Sequence, residues 1–202
     1  MNYRSVIPLF ALSVILSACQ PAQDTKLDES EIKQRGQKAA TALKVGLLGQ
    51  LQPAMKAGGP VAALPMCKAA APALTTAASD SMPGITIRRT SDRVRNPDNA
   101  PDALDRKVLE IFQSAKGNKA ELPTEHVEWL PKSKDSKAPV ARYYQPLMIK
   151  ELCLNCHGAK DQIKPEVLSL IQKLYPDDQA TGYQAGDFRG LIRVDIAPLD
   201  SP

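Results

Sequence analysis

The sequence predicts an α+β protein, with helices first and a small antiparallel sheet after them. Between residues 28 and 79 the apolar positions recur at helical spacing and alanine is abundant. From Ile85 onward several short segments alternate with period two, the last being Leu191-Ile192-Arg193-Val194-Asp195-Ile196. A chain of 202 residues that loses a leader suits one compact core.

In chain order, Met1-Asn2-Tyr3-Arg4 is a short positive opening, and Val6 to Leu16 is an uncharged apolar run. That run is too short for a permanent span and has the layout of an export signal. It closes on Leu16-Ser17-Ala18-Cys19, which resembles a bacterial lipobox. Cleavage before Cys19 and lipidation of Cys19 are expected, on the periplasmic side of a bacterial membrane; the alternative is an ordinary secretory signal with an incidental cysteine. Several acyl chains on one residue anchor more firmly than one. Residues 1–18 thus form the signal peptide, 19–30 the lipidated cysteine and a polar tether, and 31–202 a single domain.

The first helix begins near Asp28, which stands in capping-box spacing with Glu31, and buries Ala40, Leu43, Leu47, Leu51 and Ala54. Gly58-Gly59-Pro60 breaks it, with Pro60 suited to the first turn of a second helix over 60–79. Ala63, Cys67, Ala70, Ala71 and Leu74 share one stripe there, and Pro65 and Pro72 predict a bend or interruption. Ile85 to Ser91 reads as a strand, and Arg95-Asn96-Pro97-Asp98-Asn99 as a turn-rich loop. A helix from Pro101 to about Ala115 points Leu104, Val108, Ile111 and Phe112 inward and stops at Lys116-Gly117-Asn118. Glu125 to Leu130 and Val140 to Ile149 read as antiparallel neighbours, a short helix covers 165–174, and Tyr175-Pro176-Asp177-Asp178 is a turn.

The chemistry concentrates in Cys153-Leu154-Asn155-Cys156-His157, directly after the third strand. This spacing reads as an attachment site for one covalent c-type haem. Cys153 and Cys156 can each bond one vinyl group, and His157 then stands ready to ligate iron. Half a zinc site is the first alternative, but no second Cys pair at matching spacing exists. A thioredoxin-like dithiol is the second, but it would open a helix in a βαβ context that this pattern lacks. Export and motif agree, because such attachment takes place outside the bacterial cytoplasmic membrane. Of four cysteines, one is assigned to lipid and two to porphyrin, which leaves Cys67 unpaired.

Composition excludes other classes. The formal charge of +4 becomes +3 when Arg4 leaves with the leader, and the basic residues are spread, so no nucleic-acid partner is expected. There is no internal repeat and no further transmembrane segment is expected. Aromatics make up only 4 %, and a buried macrocycle would supply flat apolar volume.

Several further stretches join the pentapeptide in a definite order. They are Met66-Cys67-Lys68-Ala69-Ala70-Ala71-Pro72, Ile87-Arg88-Arg89-Thr90-Ser91, and Arg95-Asn96-Pro97-Asp98-Asn99-Ala100-Pro101. After Cys153 to Gly158 comes Gly182-Tyr183-Gln184-Ala185-Gly186-Asp187-Phe188-Arg189-Gly190. With these the chain, over about residues 30–197, resembles the bacterial haem-c-binding PAS-like family, whose members are stand-alone exported proteins and sensor ectodomains of histidine kinases. The resemblance implies a PAS-like antiparallel sheet with N-terminal helices and a haem between helix and sheet. It also implies iron held between the motif histidine and a cysteine on an N-terminal helix, here His157 and Cys67.

Read from residues alone, the second axial position stays open among Cys67, His126, Met55, Met66, Met82 and Met148. A lone Cys in an alanine-rich helix is ordinarily a small buried hydrophobe. Small neighbours Ala63, Ala70 and Ala71 would however admit a flat ring, and an unpaired exported thiol invites oxidation unless protected. His126 beside Glu125 and Glu128 reads as a surface residue, and Met66 points about 100° from Cys67 on a helix. Haem propionates call for cationic or backbone donors, and Arg88, Arg89, Arg93, Arg95 and Arg189 are candidates. Arg95 with Asn96 is the preferred pair, since a turn beside a strand end presents donors cheaply. Tyr143, Tyr144, Tyr175 and Tyr183 are candidate pocket walls or core residues, with alternation sending Tyr143 and Tyr144 to opposite faces.

Three function classes follow. A monohaem electron carrier comes first; a haem-based redox or gas sensor for carbon monoxide or nitric oxide, acting through a partner protein, comes second. An enzyme such as a peroxidase comes last, because no distal His/Arg pair is evident.

Overall fold

The computed structural model describes residues 27–118, 120–135 and 137–199. The expected signal peptide, Cys19 and the expected tether through residue 26 lie outside the described residues. Helix α1 (Glu29–Asp80) opens where the Asp28 carboxylate accepts the Glu31 amide at 2.8 Å, so the fold begins two residues before the expected end of the tether. Its helical dihedrals fail only at Gly58 and Gly59, leaving limbs over residues 29–57 and 60–80. Gly59 sits at φ 64° and ψ −158°, a region open essentially to glycine. Pro65 and Pro72 keep helical dihedrals, so the helix is not interrupted at either. Packing overrides the local preference: Leu64 is buried against Ile163, Val167 and Ile171, which holds the second limb in one piece.

Strands β1 (Ile85–Thr90), β2 (His126–Trp129), β3 (Ala141–Met148) and β4 (Phe188–Ile196) form one antiparallel sheet in the order β1-β4-β3-β2. The alternation read from the sequence sorts the sheet into two faces. Ile85, Ile87, Tyr143, Ile192, Val194 and Ile196 meet the first limb of α1. Gly36 makes that contact possible, since a Cβ there would lie 2.1 Å from Cγ of Tyr143. Helix α1 as a whole is long and apolar enough to cross a membrane by composition; its first limb buries Ile32, Ala39, Ala40 and Leu43 in this core, while its most apolar stretch is mostly unburied.

Helix α2 (Ala103–Gly117) covers the other face, where Tyr144 and Leu191 meet Val108, Leu109 and Phe112. Here the expected inward set needs correction: Ile111 is exposed, while Asp105 and Leu109 are buried. The helix turns toward Asp105 because that carboxylate accepts Tyr144 Oη at 2.9 Å and Arg193 Nη1 at 3.2 Å. Asp105 also completes a reciprocal capping box with Asp102. Arg193 reaches Asp195 as well, at 2.6 Å, so the buried charges of this face are mutually paired. Tyr143 and Tyr144 thus do face opposite ways, each burying its ring and giving its hydroxyl to a carboxylate.

After β3 come a short 3-10 turn (Glu151–Cys153), helix α3 (Leu154–His157) and helix α4 (Pro165–Leu174). The second limb of α1 packs on α4, and Cys156 joins the cluster they share. Topology thereby carries Cys67 toward the Cys153–His157 segment.

Candidate functional site

A cavity of about 320 Å³ opens where α1, the end of β1, the loop after it and α3 converge. Leu47, Leu51 and Met55 line it from the first limb of α1, and Ala63, Cys67 and Ala71 from the second. Cys153, Cys156 and His157 line it from the segment after β3, and Arg95 and Asn96 from the loop. Every site residue expected among the described positions therefore reaches one slot. Cys19 lies outside the described residues. Met66 does not line the slot, and His126 sits on β2 with Nε2 2.8 Å from Glu128 Oε1, as a surface pair.

The histidine is held by its backbone neighbours. Tyr183 N–H donates to His157 O at 2.9 Å, Gly182 N–H to Gly158 O at 2.6 Å, and Arg95 Nη2 to Cys156 O at 2.7 Å. His157 Nδ1 lies 2.6 Å from Ala180 O. A carbonyl only accepts, so Nδ1 carries the proton and Nε2 keeps its lone pair. Burial, then the nearby Arg95 and Arg189 charges, push the His157 pKa down to about 3, so the ring is neutral. Tyr183 stands edge-on to it, with ring centroids 6.3 Å apart.

Cys67, Cys153 and Cys156 are free thiols. Burial pushes the Cys156 thiol up to about 11, against the pull of Arg95. Burial also raises Cys67, opposed by Arg89 and Arg95. Among the described residues no three His, Cys, Asp or Glu side chains gather as a metal-ion site. The sulfurs and the imidazole are thus distributed around a slot, which suits an extended ligand better than a bare ion.

The slot's electrostatics are one-sided. Lys68, Arg89, Arg95 and Arg189 line it, and no Asp or Glu does among the described residues. Arg95 and Asn96, the pair expected to meet an anion, both have other duties. The Arg95 guanidinium grips Asp178 with Nε–Oδ1 at 2.9 Å and Nη2–Oδ2 at 3.0 Å. The Asn96 carboxamide accepts from Asp98 N at 3.2 Å and caps the 3-10 turn Pro97–Asn99. Asp178 in turn accepts the Ala180 amide at 3.0 Å, which completes a path from Arg95 to the carbonyl that orients His157.

Asp178 and Ala180 carry no motif and were read only as a turn and its sequel. The signal that could have found them is the paired acid at the end of Tyr175-Pro176-Asp177-Asp178, a turn whose carboxylate can accept the amide two residues on. Tyr175 also lines the slot, whereas Tyr143 and Tyr144 belong to the core.

A family model described as Tll0287-like matches residues 19–197. Among solved structures, the crystal structure of the cyanobacterial haem-protein Tll0287 superposes with a TM-score of 0.59 at 24 % identity, covering 87 % of this chain and 100 % of that one. No curated protein matches. The solved structure shares the fold, with helices beside a four-stranded antiparallel sheet. Since the family model runs from residue 19 to the end of β4, this chain belongs to the Tll0287-like family.

Proposed function

We propose that the chain is an exported, membrane-tethered protein that binds one covalent c-type haem and transfers electrons, with His157 and Cys67 as axial ligands. The observation that carries this reading is convergence: Cys67, Cys153, Cys156 and His157 line one apolar slot although most of the fold separates Cys67 from the others in sequence. The haem-protein named among the solved relatives supports it. The residues fit the group. Cys153 and Cys156 are unpaired thiols that would each add S–H across one vinyl group, a step that needs no oxidant and releases nothing. His157 offers a neutral Nε2 with its tautomer set by Ala180 O. Cys67 offers sulfur from the wall made by α1.

Bound haem supplies a one-electron couple, and thiolate ligation places its potential below that of His/Met cytochromes. With both His157 and Cys67 holding the iron, the site would serve redox binding rather than catalysis. Lipidation of Cys19 would hold the domain at the periplasmic face, where a redox protein is its partner. A second reading, a redox or gas sensor working through a signalling protein, is favoured by the Gly58–Gly59 break, because it sets Cys67 on its own helical limb.

The test is attachment. Protein co-expressed with a c-type maturation system should keep haem-linked peroxidase staining on a denaturing gel, and Cys153→Ala/Cys156→Ala should lose it. Complete removal of colour by acid–acetone would reject covalent binding.

A further inference from the structure

Five arginines were candidates for the haem carboxylates, and the hydrogen-bond inventory separates them. Arg88 Nη2 donates to Asp98 O at 3.1 Å. Arg93 lies 4.0 Å over the Tyr183 ring and donates to Gln179 O at 3.2 Å. Arg95 is gripped by Asp178. Arg189 places all its hydrogen bonds on Nη1, to Ser91 Oγ, Arg93 O and Tyr183 Oη, and none of these partners is a carboxylate. Arg89 stands apart. It lines the slot, its side chain makes no hydrogen bond or ion pair among the described residues, and its Nε is sealed from water without a partner.

Arg89 is half-buried with only its Nε sealed off, and a guanidinium that opens on a slot without a carboxylate partner is placed for a ligand to complete it. Lys68 cannot share the task, since its Nζ donates to Leu174 O at 2.8 Å and lies over the Tyr175 ring. The strand explains the placement of Arg89. Ile85, Ile87 and Arg89 alternate onto the α1 face of the sheet, so the side chain that follows the core residues enters the slot. Arg89 is also close enough for its charge to act on Cys67.

We propose that Arg89 is the principal anchor for a propionate carboxylate of the bound haem, with Arg189 as its second cationic support. This rests on the haem reading above. A planar fork meets a carboxylate with two parallel donors, which lysine cannot copy.

The test compares wild type, Arg89→Met and Arg89→Lys, each produced with and without the maturation system. Melting temperature is read on both forms, and resonance Raman propionate bending modes on the loaded form. In the unloaded protein Arg89→Met should melt at or above wild type, because an unanswered cation is removed. In the loaded protein it should melt below wild type and shift the bending mode, while Arg89→Lys recovers part of the melting loss but not the mode. The sign reversal between forms is what a merely structural arginine does not produce. A coloured Arg89→Met with unmoved bending modes, or equal melting losses in both forms, would overturn the anchor alone. A wild type without attached haem would sink the haem reading itself and take the anchor with it.

Discussion

Asp178 is the residue through which the loop after β1 and the histidine segment are joined, and its removal has a calculable cost. The carboxylate accepts two bonds from Arg95 and one from the Ala180 amide. Both ionic partners are enclosed, with side chains 11 % and 7 % exposed for Arg95 and Asp178. Deleting one member of such a pair leaves the other charge buried and unpaired, which costs about 3–5 kcal/mol. Asp178→Ala should lose about that much, while Asp178→Asn keeps one acceptor and should lose about 1–3 kcal/mol. For a domain of this size each kcal/mol moves the midpoint by roughly 2–4 °C, so the alanine variant should melt on the order of 10 °C lower.

The pH dependence follows from the same geometry. Burial alone would raise the Asp178 pKa, but the Arg95 hydrogen bond and charge more than offset it and leave it lowered. A depressed carboxylate contributes stability above its unfolded value, about 3.9, and loses it as pH falls through the folded value. The gap between wild type and Asp178→Asn should therefore be full at pH 7 and close below about pH 4. Urea unfolding at pH 7 and in the acid range measures both. An Asp178→Ala protein within about 1 kcal/mol of wild type, or a gap that widens in acid, would refute the clamp.

Two other expectations concern packing and ligation. Gly36→Ala puts a Cβ 2.1 Å from Tyr143 Cγ, so overpacking of about 1–3 kcal/mol should outweigh the ~1 kcal/mol gain in helix propensity; urea unfolding should show net destabilisation. Cys67→Ala should change the ferric absorption spectrum of the loaded protein, and an unchanged spectrum rejects Cys67 as a ligand. In the same spectrometer, carbon monoxide binding by the reduced wild type would support the sensor reading, while indifference to carbon monoxide would leave the electron carrier.

The sheet was legible because its inward residues alternate without error from Ile85 to Ile87 and from Ile192 to Ile196. The break at Gly58-Gly59 was legible because only glycine tolerates the conformation Gly59 adopts. Helix α2 was misread at Ile111 because a stripe drawn through apolar residues cannot anticipate a buried carboxylate. Asp105 enters the core only because Tyr144 and Arg193, on two other strands, are there to bind it. The absence of an interruption at Pro65 and Pro72 has a related reason, since the packing of Leu64 on α4 holds that limb helical through both.

The site divides along the same line between local and long-range information. Three of its chemical groups sit within five consecutive residues, so their grouping was legible from spacing alone. Cys67 stood out as the unpaired thiol, while its role as a ligand was implied only by the resemblance. The arginines could not be ranked this way. Alternation along β1 sends Arg88 and Arg89 to opposite faces but does not say which face holds the slot, and Arg95 meets Asp178 across 83 positions of chain. The two sides of the slot also differ mechanically. His157 is tied by a main-chain bond to Tyr183 and by its ring Nδ1 to Ala180 O, whereas Cys67 rides on a limb joined to the rest of α1 through two residues that leave the helical conformation. Any motion that changes the distance between sulfur and imidazole is therefore most easily supplied by the cysteine side. The two proposed roles, electron transfer and sensing, accordingly differ in what they require of that limb and of Gly58 and Gly59.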